Sequence, residues 1–123
     1  MSITAYTHVG DEKMELVRVF KALADETRLR MLYLLKEREL CVCEIEEVLG
    51  IQQSNASRHL EKLRNAGLVC SEKRAQWVYY RMNEETLQRY PFLSMIIKDE
   101  ASKIPCCQQD TLRLQNVKGC ENC

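Results

Sequence analysis

Apolar residues recur at helical spacing through the first part of the chain, and this pattern predicts three helices before residue 51. The first helix is expected over about residues 12–24. Asp25 has the right chemistry to cap a second helix that reaches about residue 37. A short apolar run over residues 43–49 predicts a third helix. It ends at Gly50, because glycine readily adopts the left-handed conformation that closes helices.

The pattern after residue 50 predicts a fourth helix followed by a β-hairpin. Ser54 or Asn55 is expected to cap this helix, which then continues to Gly67. The runs 68–72 and 77–82 are rich in valine, tyrosine and tryptophan, and four polar residues separate them. Such runs predict two short antiparallel strands, so the expected fold is mainly α with a hairpin wing.

A last helix is expected to begin at two acidic residues, to kink or restart at Pro91 and to stop before Pro105. These boundaries divide the chain into a flexible N-terminal arm at residues 1–10, one domain at residues 11–104 and a cysteine-containing tail at residues 105–123. The tail has four cysteines and little apolar matter. We therefore expect it to become ordered only when its thiols are engaged.

Composition narrows the class of protein. The chain has 123 residues, of which 46% are hydrophobic and 29% charged, as suits one domain with a packed core. Its formal net charge of +0 excludes a uniformly basic nucleic-acid binder and makes any basic surface local. The N-terminal segment has no secretion-signal pattern, and no apolar run is long enough to span a membrane. We expect a cytoplasmic protein without a membrane partner.

The predicted order of helices and hairpin is that of a winged helix-turn-helix, in which the fourth helix enters the DNA major groove. Small polar side chains in its first turn permit a close approach. Glutamine and asparagine can pair with adenine edges, and arginine can pair with guanine. A run of this kind can also simply cap a helix. The candidates for base contact are Gln53, Ser54, Asn55, Ser57, Arg58 and His59.

Positive charge is concentrated in the same part of the chain. Residues 51–81 carry six basic side chains and only two acidic ones, although the whole chain is neutral. A local basic surface has the charge needed to meet DNA phosphates. The candidates for contact with the DNA backbone lie at the tip of the expected hairpin: Lys73, Arg74 and Gln76.

Seven cysteines in a chain of this kind indicate metal, metalloid or redox chemistry, because an odd number in a reducing compartment does not suit a disulfide framework. Only two histidines are present, so a site built on imidazoles is not expected. Six of the cysteines form three pairs, Cys41 with Cys43, Cys106 with Cys107, and Cys120 with Cys123, and Cys70 stands alone in the first expected strand.

Three segments together resemble the ArsR/SmtB family of metal-responsive transcriptional repressors: LADETRLRMLYLL at 23–35, ELCVCEIEEVLG at 39–50 and QSNASRHLEKLRNAGLV at 53–69. The resemblance covers about residues 14–100. It implies a homodimeric winged helix protein that binds double-stranded operator DNA until an inducer releases it. The face expected to lie between two copies is on the last helix, together with the first: Leu93, Ile96, Ile97 and Ile104.

The Cys-Val-Cys motif resembles that of the family's arsenite and antimonite sensors, and also that of its cadmium and lead sensors. This chain has Glu46 where the best-known arsenite motif has a third cysteine, and residues 1–40 contain no cysteine. A further ligand must therefore come from elsewhere. Cys106 and Cys107 are the first choice, since a vicinal dithiol suits trivalent arsenic. The expected inducer is As(III) or Sb(III), with Cd(II) or Pb(II) as alternatives, and no permanent cofactor is expected.

Two side chains that are two residues apart on an α-helix point about 200° away from each other. Cys41 and Cys43 therefore cannot converge on one ion while both are helical. We expect ion binding to unwind or reshape the start of the third helix, which packs behind the recognition helix. A helix N-terminus also favours the thiolate, which is the form that binds soft ions.

Two redox alternatives stay open. A repressor of the same fold could respond to oxidation of Cys41 with Cys43 or of Cys106 with Cys107. An enzyme could use Cys120 and Cys123, but no strand and helix precede that pair to set a thiol pKa. We therefore expect a repressor and not an enzyme.

Overall fold

The computed structural model of the protein describes residues 14–117. Its elements are α1 (residues 14–23), α2 (Glu26–Leu35), β1 (Leu40–Cys41), α3 (Val42–Leu49), α4 (Gln53–Asn65), β2 (Val69–Arg74), β3 (Trp77–Met82), α5 (Glu84–Arg89), α6 and α7 (Pro105–Leu114). Helix α6 joins an α turn at Phe92–Ser94, a π-helical segment at Met95–Glu100 and a 3-10 turn at Ala101–Lys103. The predicted arm at residues 1–10 lies outside the described residues.

The helices up to residue 67 and the hairpin follow the predicted order, which confirms the winged helix-turn-helix fold class. Asp25 caps α2 as expected, since its carboxylate accepts a hydrogen bond from the backbone N–H of Arg28 at 3.0 Å. Gly50 ends α3 with φ 67°, a left-handed conformation that a side chain would strain.

The prediction that Ser54 or Asn55 caps α4 is wrong. The helix begins at Gln53, and Gln52 is the N-cap in an extended conformation without a side-chain capping bond. Ser54 and Asn55 therefore lie inside the first turn of the helix. This excludes the interpretation in which the polar run serves only to cap a helix.

The sheet has three strands in the order β1-β3-β2, and both pairings are antiparallel. Strand β1 was not anticipated, and it places Cys41 opposite Tyr79 of the central strand. Strand β2 continues to Arg74, so the hairpin turn is shorter than the four residues expected. Ala75 occupies that turn with φ 55°. The hairpin wing is thus joined directly to the segment that carries the first cysteine.

The expectation of a loose tail from residue 105 is wrong for its first part. Pro105 stops α6 as predicted, but it also begins α7, where proline is well suited to the first helical position. A bidentate ion pair holds α7 against α2: Arg30 Nε and Nη2 donate to the buried carboxylate of Asp110 at 2.8 and 2.9 Å.

The core lies between α2, α3, α4, the sheet and α6. Leu93 and Ile97 are buried inside it, so they are unavailable to the face predicted between two copies, and only Ile96 and Ile104 of that face stay partly open. The large exposed apolar side chains are different residues, on α1, α6 and α7: Met14, Val17, Phe20, Met95 and Leu112. No helix within residues 14–117 is long and apolar enough to cross a membrane.

Candidate DNA-binding surface and thiol pairs

Helix α4 packs against α3 and α2 and turns one apolar stripe inward. Ala56, Leu60 and Leu63 on that stripe are completely buried. Their spacing of four and three residues places them on one side of the helix, so the polar residues between them face outward. The sequence therefore presents the opposite side of α4 to solvent.

Five of the six residues predicted to contact bases belong to this outward side. Gln53, Ser54, Ser57 and Arg58 are exposed, and Asn55 is half-buried. Arg58 Nη2 donates to Asn55 Oδ1 at 2.7 Å, which joins these two side chains into one polar surface. The arrangement leaves hydroxyl, amide and guanidinium groups available at the N-terminal half of the helix.

His59 does not belong to that surface. It is only 9% exposed, and its Nδ1 lies 3.3 Å from Arg28 Nη1 and 3.9 Å from Asp25 Oδ1. Burial lowers the pKa of His59, and the positive charges of Arg28 and Arg58 lower it further against the opposing effect of Asp25. The structure therefore places His59 between α4 and α2 and not on the outward side of α4, where the prediction of a base contact needs it.

At the wing, Lys73, Arg74 and Gln76 are exposed as predicted. Arg74, however, already has anionic partners. Its Nη1 and Nη2 donate to the two carboxylate oxygens of Glu39 at 2.6 and 2.8 Å, and its Nε donates to Glu72. The hydrogen bonds to Glu39 and Glu72 raise the pKa of Arg74, and the guanidinium also lies 4.6 Å from the centre of the Tyr79 ring. The Arg74 guanidinium is therefore already engaged with carboxylates, whereas Lys73 makes no salt bridge among the described residues.

Cys41 and Cys43 lie at the junction between the wing and the helix-turn-helix. Cys41 is buried in β1 with extended backbone, φ −85° and ψ 158°, and it is the N-cap of α3. Cys43 is half-buried in the first turn of α3. Both cysteines are disulfide-bonded in the structure. Since only Cys43 is helical, the expectation that an ion must unwind α3 to meet both sulfur atoms does not hold.

The backbone around Cys41 is held by Glu44. The Cys41 N–H donates to Glu44 Oε1 at 2.9 Å, and Arg38 Nη1 donates to Glu44 Oε2 at 3.2 Å. A glutamate three residues after the N-cap is the usual partner in a capping box. Residues 38–41 are therefore tied to α3 through Glu44 and to the wing through Glu39.

Cys106 and Cys107 lie elsewhere, in the first turn of α7. Cys106 is half-buried, and its thiol donates to Glu26 Oε1 at 3.7 Å. Cys107 is fully buried among Tyr33 and Ala101. Burial, together with the neighbouring Cys106 and Asp110, raises the pKa of the Cys107 thiol to about 11. Cys107 is thus protonated near neutral pH.

The two pairs are not brought together in one site. Over residues 14–117, no three side chains of histidine, cysteine, aspartate or glutamate are grouped so that they could hold a metal ion. A site completed by Cys106 or Cys107 would need a movement or a second subunit. Cys120 and Cys123 lie outside the described residues.

Sequence reasoning missed Glu39 and Glu44, which link Cys41 to its surroundings. Glu44 was detectable, because it follows Cys41 by three residues at a helix start. Glu39 was not, because its partner Arg74 lies 35 residues away and becomes a neighbour only through the sheet.

Comparisons with known proteins agree with this fold. Residues 25–71 match the family model for "Bacterial regulatory protein, arsR family". The chain is 48% identical to the arsenic resistance transcriptional regulator ArsR2 of Pseudomonas putida, over 82% of this chain and 87% of that protein. It is 51% identical to ArsR1 of the same organism, but over only 57% of this chain and 56% of that relative.

A solved structure from Mycobacterium bovis shows the same architecture. It is described as a homodimeric winged helix-turn-helix DNA-binding domain of a possible ArsR-family transcriptional regulator. The two chains are 26% identical with a TM-score of 0.64, over 85% of this chain and 94% of that one.

Proposed function

Because this chain belongs to the arsR family of bacterial regulatory proteins, we propose that it is a cytoplasmic transcriptional repressor. In this proposal it binds operator DNA through α4 and the wing, and leaves it when trivalent arsenic or antimony binds Cys41 and Cys43. The relatives named for arsenic resistance favour these ions over cadmium(II) and lead(II).

The surface of α4 supports the part of the proposal that concerns DNA. Its outward side carries Ser54, Ser57 and Arg58 without any acidic residue in the first turn. A helix with small polar residues at this end can approach base edges closely, and arginine can read guanine by two hydrogen bonds. Lys73 at the wing adds a contact with the DNA backbone.

One observation carries the proposal for the inducer: Cys41 lies where β1, α3 and the wing meet. It pairs with Tyr79 of β3 and caps α3, which packs on α4. An ion that draws the Cys41 and Cys43 sulfur atoms into its own geometry acts directly on these two connections. A change at this pair therefore reaches both elements that contact DNA.

The ligands for trivalent arsenic are thiolates, so the disulfide-bonded cysteines must first be reduced. A dithiol reductant supplies two electrons and two protons per disulfide and becomes a disulfide itself. Each thiol that then binds arsenous acid replaces one hydroxyl group and releases one water. Three thiols complete the pyramidal site that arsenic prefers.

For the third sulfur we assign Cys106 ahead of Cys107. Cys106 is partly open to solvent, whereas Cys107 is buried and its thiol pKa is raised to about 11. A protonated, enclosed thiol is a poor ligand. Cys106 must be brought to the first pair by a movement of α7 or from the second subunit.

Two copies of the chain are needed, since an operator with two half-sites requires two recognition helices. The exposed apolar residues of α1 and α6 support a contact between copies. Phe20 stacks on Phe92 with ring centres 5.4 Å apart, and Val17 and Met95 lie exposed on the same two helices. We place the homodimer contact here instead of on Leu93 and Ile97.

A charge within this contact should separate the copies. Phe20→Asp is expected to shift the protein to monomer in sedimentation velocity at micromolar concentration, because an unpaired carboxylate cannot be buried cheaply. Leu112→Asp is the matched control, since Leu112 is also a large exposed apolar residue but lies on α7. A dimeric Phe20→Asp protein would move the contact elsewhere.

The whole proposal is tested with the reduced wild-type protein. We would select a tight-binding duplex from a random DNA library and follow its fluorescence anisotropy during titration with sodium arsenite, and separately with cadmium chloride. Release by arsenite at lower concentration than cadmium is expected. Failure to select any sequence would contradict the repressor function, and release by cadmium alone would favour the alternative inducer.

A further inference from the structure

A second basic surface lies beside the recognition helix, and no predicted DNA contact includes it. It is a groove of about 470 Å³ between α1, α2 and the C-terminal half of α4. Among the described residues none of its lining side chains is acidic. We call it the basic groove and define it by Arg18, Lys21, Arg28, Lys62 and Asn65.

Three exposed cations of this groove, Arg18, Lys21 and Lys62, differ from Arg64 and Arg74 in their partners. Arg74 of the wing and Arg64 of α4 are neutralised by glutamates. Within the described part of the chain, Arg18, Lys21 and Lys62 make no salt bridge. All three are exposed, so their charges act on whatever enters the groove.

Arg28 fixes the shape of the groove. Its Nε donates to the carbonyl of Ala22 at 2.7 Å and its Nη2 to the carbonyl of Lys21 at 3.2 Å, which closes the end of α1 against α2. Its Nη1 faces His59 of α4 at 3.3 Å. Through Arg28, the end of α1 that carries Lys21 is thus held at a fixed position relative to α4.

The position of the groove along α4 identifies the partner. At 1.5 Å per residue, Lys62 lies about 6 Å beyond Arg58 and about 12 Å beyond Ser54 along the helix axis. When the first turns of a recognition helix lie in a major groove about 12 Å wide, its later turns meet the phosphates at the groove's edge.

We propose that the basic groove holds the DNA backbone beside each half-site, with Arg18, Lys21 and Lys62 on its phosphates. This inference rests on the proposed operator-binding function and adds α1 to the surface that meets DNA. The contact is independent of base sequence, since all three side chains reach only phosphate.

The test compares two double variants of equal charge on the selected duplex and on a scrambled duplex. Arg18→Gln with Lys21→Gln removes the α1 side of the groove. Lys36→Gln with Lys98→Gln is the control, because these lysines line a different groove, whose lining also includes the acidic residues Glu39 and Glu84. The measurement is the slope of log affinity against log salt concentration.

For the α1 variant, the magnitude of the slope should fall by about 1.8, which corresponds to two phosphates. Affinity for both duplexes should fall by the same factor, about tenfold at moderate salt. The control should keep the wild-type slope. An unchanged slope in the α1 variant, or an equal loss in the control, would overturn the inference.

Lys62→Gln tests the opposite side of the groove without touching α1, which also carries the proposed dimer contact. Its slope should fall by about 0.9 while the protein stays dimeric in sedimentation velocity. A wild-type slope for Lys62→Gln would count against the groove. Wild-type protein that selects no duplex at all would instead contradict the repressor function itself.

Discussion

The two described cysteine pairs occupy different positions in the fold. Cys41 and Cys43 join the wing to α3, whereas Cys106 and Cys107 lie in the first turn of α7 against α2. Cys41 pairs with Tyr79 of the wing strand β3, and α3, which carries Cys43, packs on α4. In the second pair, the Cys106 thiol contacts Glu26 of α2, and the Arg30–Asp110 ion pair beside it joins α2 to α7. None of these residues lies in α4 or the wing.

Because of this difference, the affinity for an ion and the coupling of ion binding to the DNA-binding elements can depend on different cysteines. A sulfur atom from either pair can add to the free energy with which an ion binds. Only the first pair can convert that free energy into a change at α4 or the wing, because an ion shifts an equilibrium only through contacts that differ between two states. The predictions below test that separation.

The largest effect is expected at Cys41. In Cys41→Ser the arsenite concentration needed for half-release should rise by more than about a hundredfold, since the coupled thiolate is lost. Operator affinity should stay within about twofold of wild type, because serine is a favoured N-cap. Anisotropy titration checks both values, and Cys70→Ser, in β2, is the control. Release of Cys41→Ser at the wild-type concentration would contradict the site.

Cys106→Ser should have an intermediate effect. We expect half-release to need about tenfold more arsenite, with complete release still reached at saturation, because a ligand is lost but the coupled pair remains. X-ray absorption should count one sulfur fewer per arsenic. Cys107→Ser is the matched control and should retain the full sulfur count. Loss of a sulfur in Cys107→Ser alone would assign the third ligand to Cys107.

A smaller effect is expected at Glu39, which joins the Cys41 segment to the wing through Arg74. Glu39→Gln should reduce the arsenite-induced loss of DNA affinity by about threefold, as one of two connections is broken. The same change frees Arg74 for phosphate, so operator affinity should not fall. Glu72→Gln is the control, since Glu72 holds Arg74 from within the hairpin. Equal effects of the two variants would remove the wing from the coupling path.

The smallest effect is a pH dependence at Cys107. Its pKa is raised in the folded state to about 11 from an ordinary 9.0, so the folded protein binds its proton more tightly. The resulting stability is present below pH 9 and is lost as pH rises towards 11. Urea denaturation of reduced wild type and Cys107→Ser should show this alkaline loss in the wild type only. Iodoacetamide at pH 8 should modify Cys106 well before Cys107.

Much of the fold follows from local pattern, as the helices up to residue 67 show. Capping residues, glycines and apolar spacing are local signals that involve only a few neighbouring residues, so α2 and α3 were predictable. Strand β1 has only two residues and depends on Tyr79 and Tyr80 far along the chain. Helix α7 has a weak apolar pattern and is held by Arg30 with Asp110 and by the burial of Cys107. No local signal identifies such contacts.

The candidate site was predictable in part for the same reason. The outward side of α4 follows from its sequence, and its apolar spacing could also have placed His59 inward, three residues after Ala56 and four before Leu63. The pairing of Arg74 with Glu39 could not be inferred, because it depends on the sheet register. The separation of the two cysteine pairs likewise depends on how α7 packs.

The central claim is that the ion at Cys41 and Cys43 and the operator at α4 act on one equilibrium. The direct measurement is the affinity of arsenite for the reduced protein, free and bound to the selected duplex. Linkage requires DNA to weaken arsenite binding by the same factor by which arsenite weakens DNA binding. We predict equal factors within experimental error in wild type. Equal arsenite affinities for free and DNA-bound protein would contradict the claim.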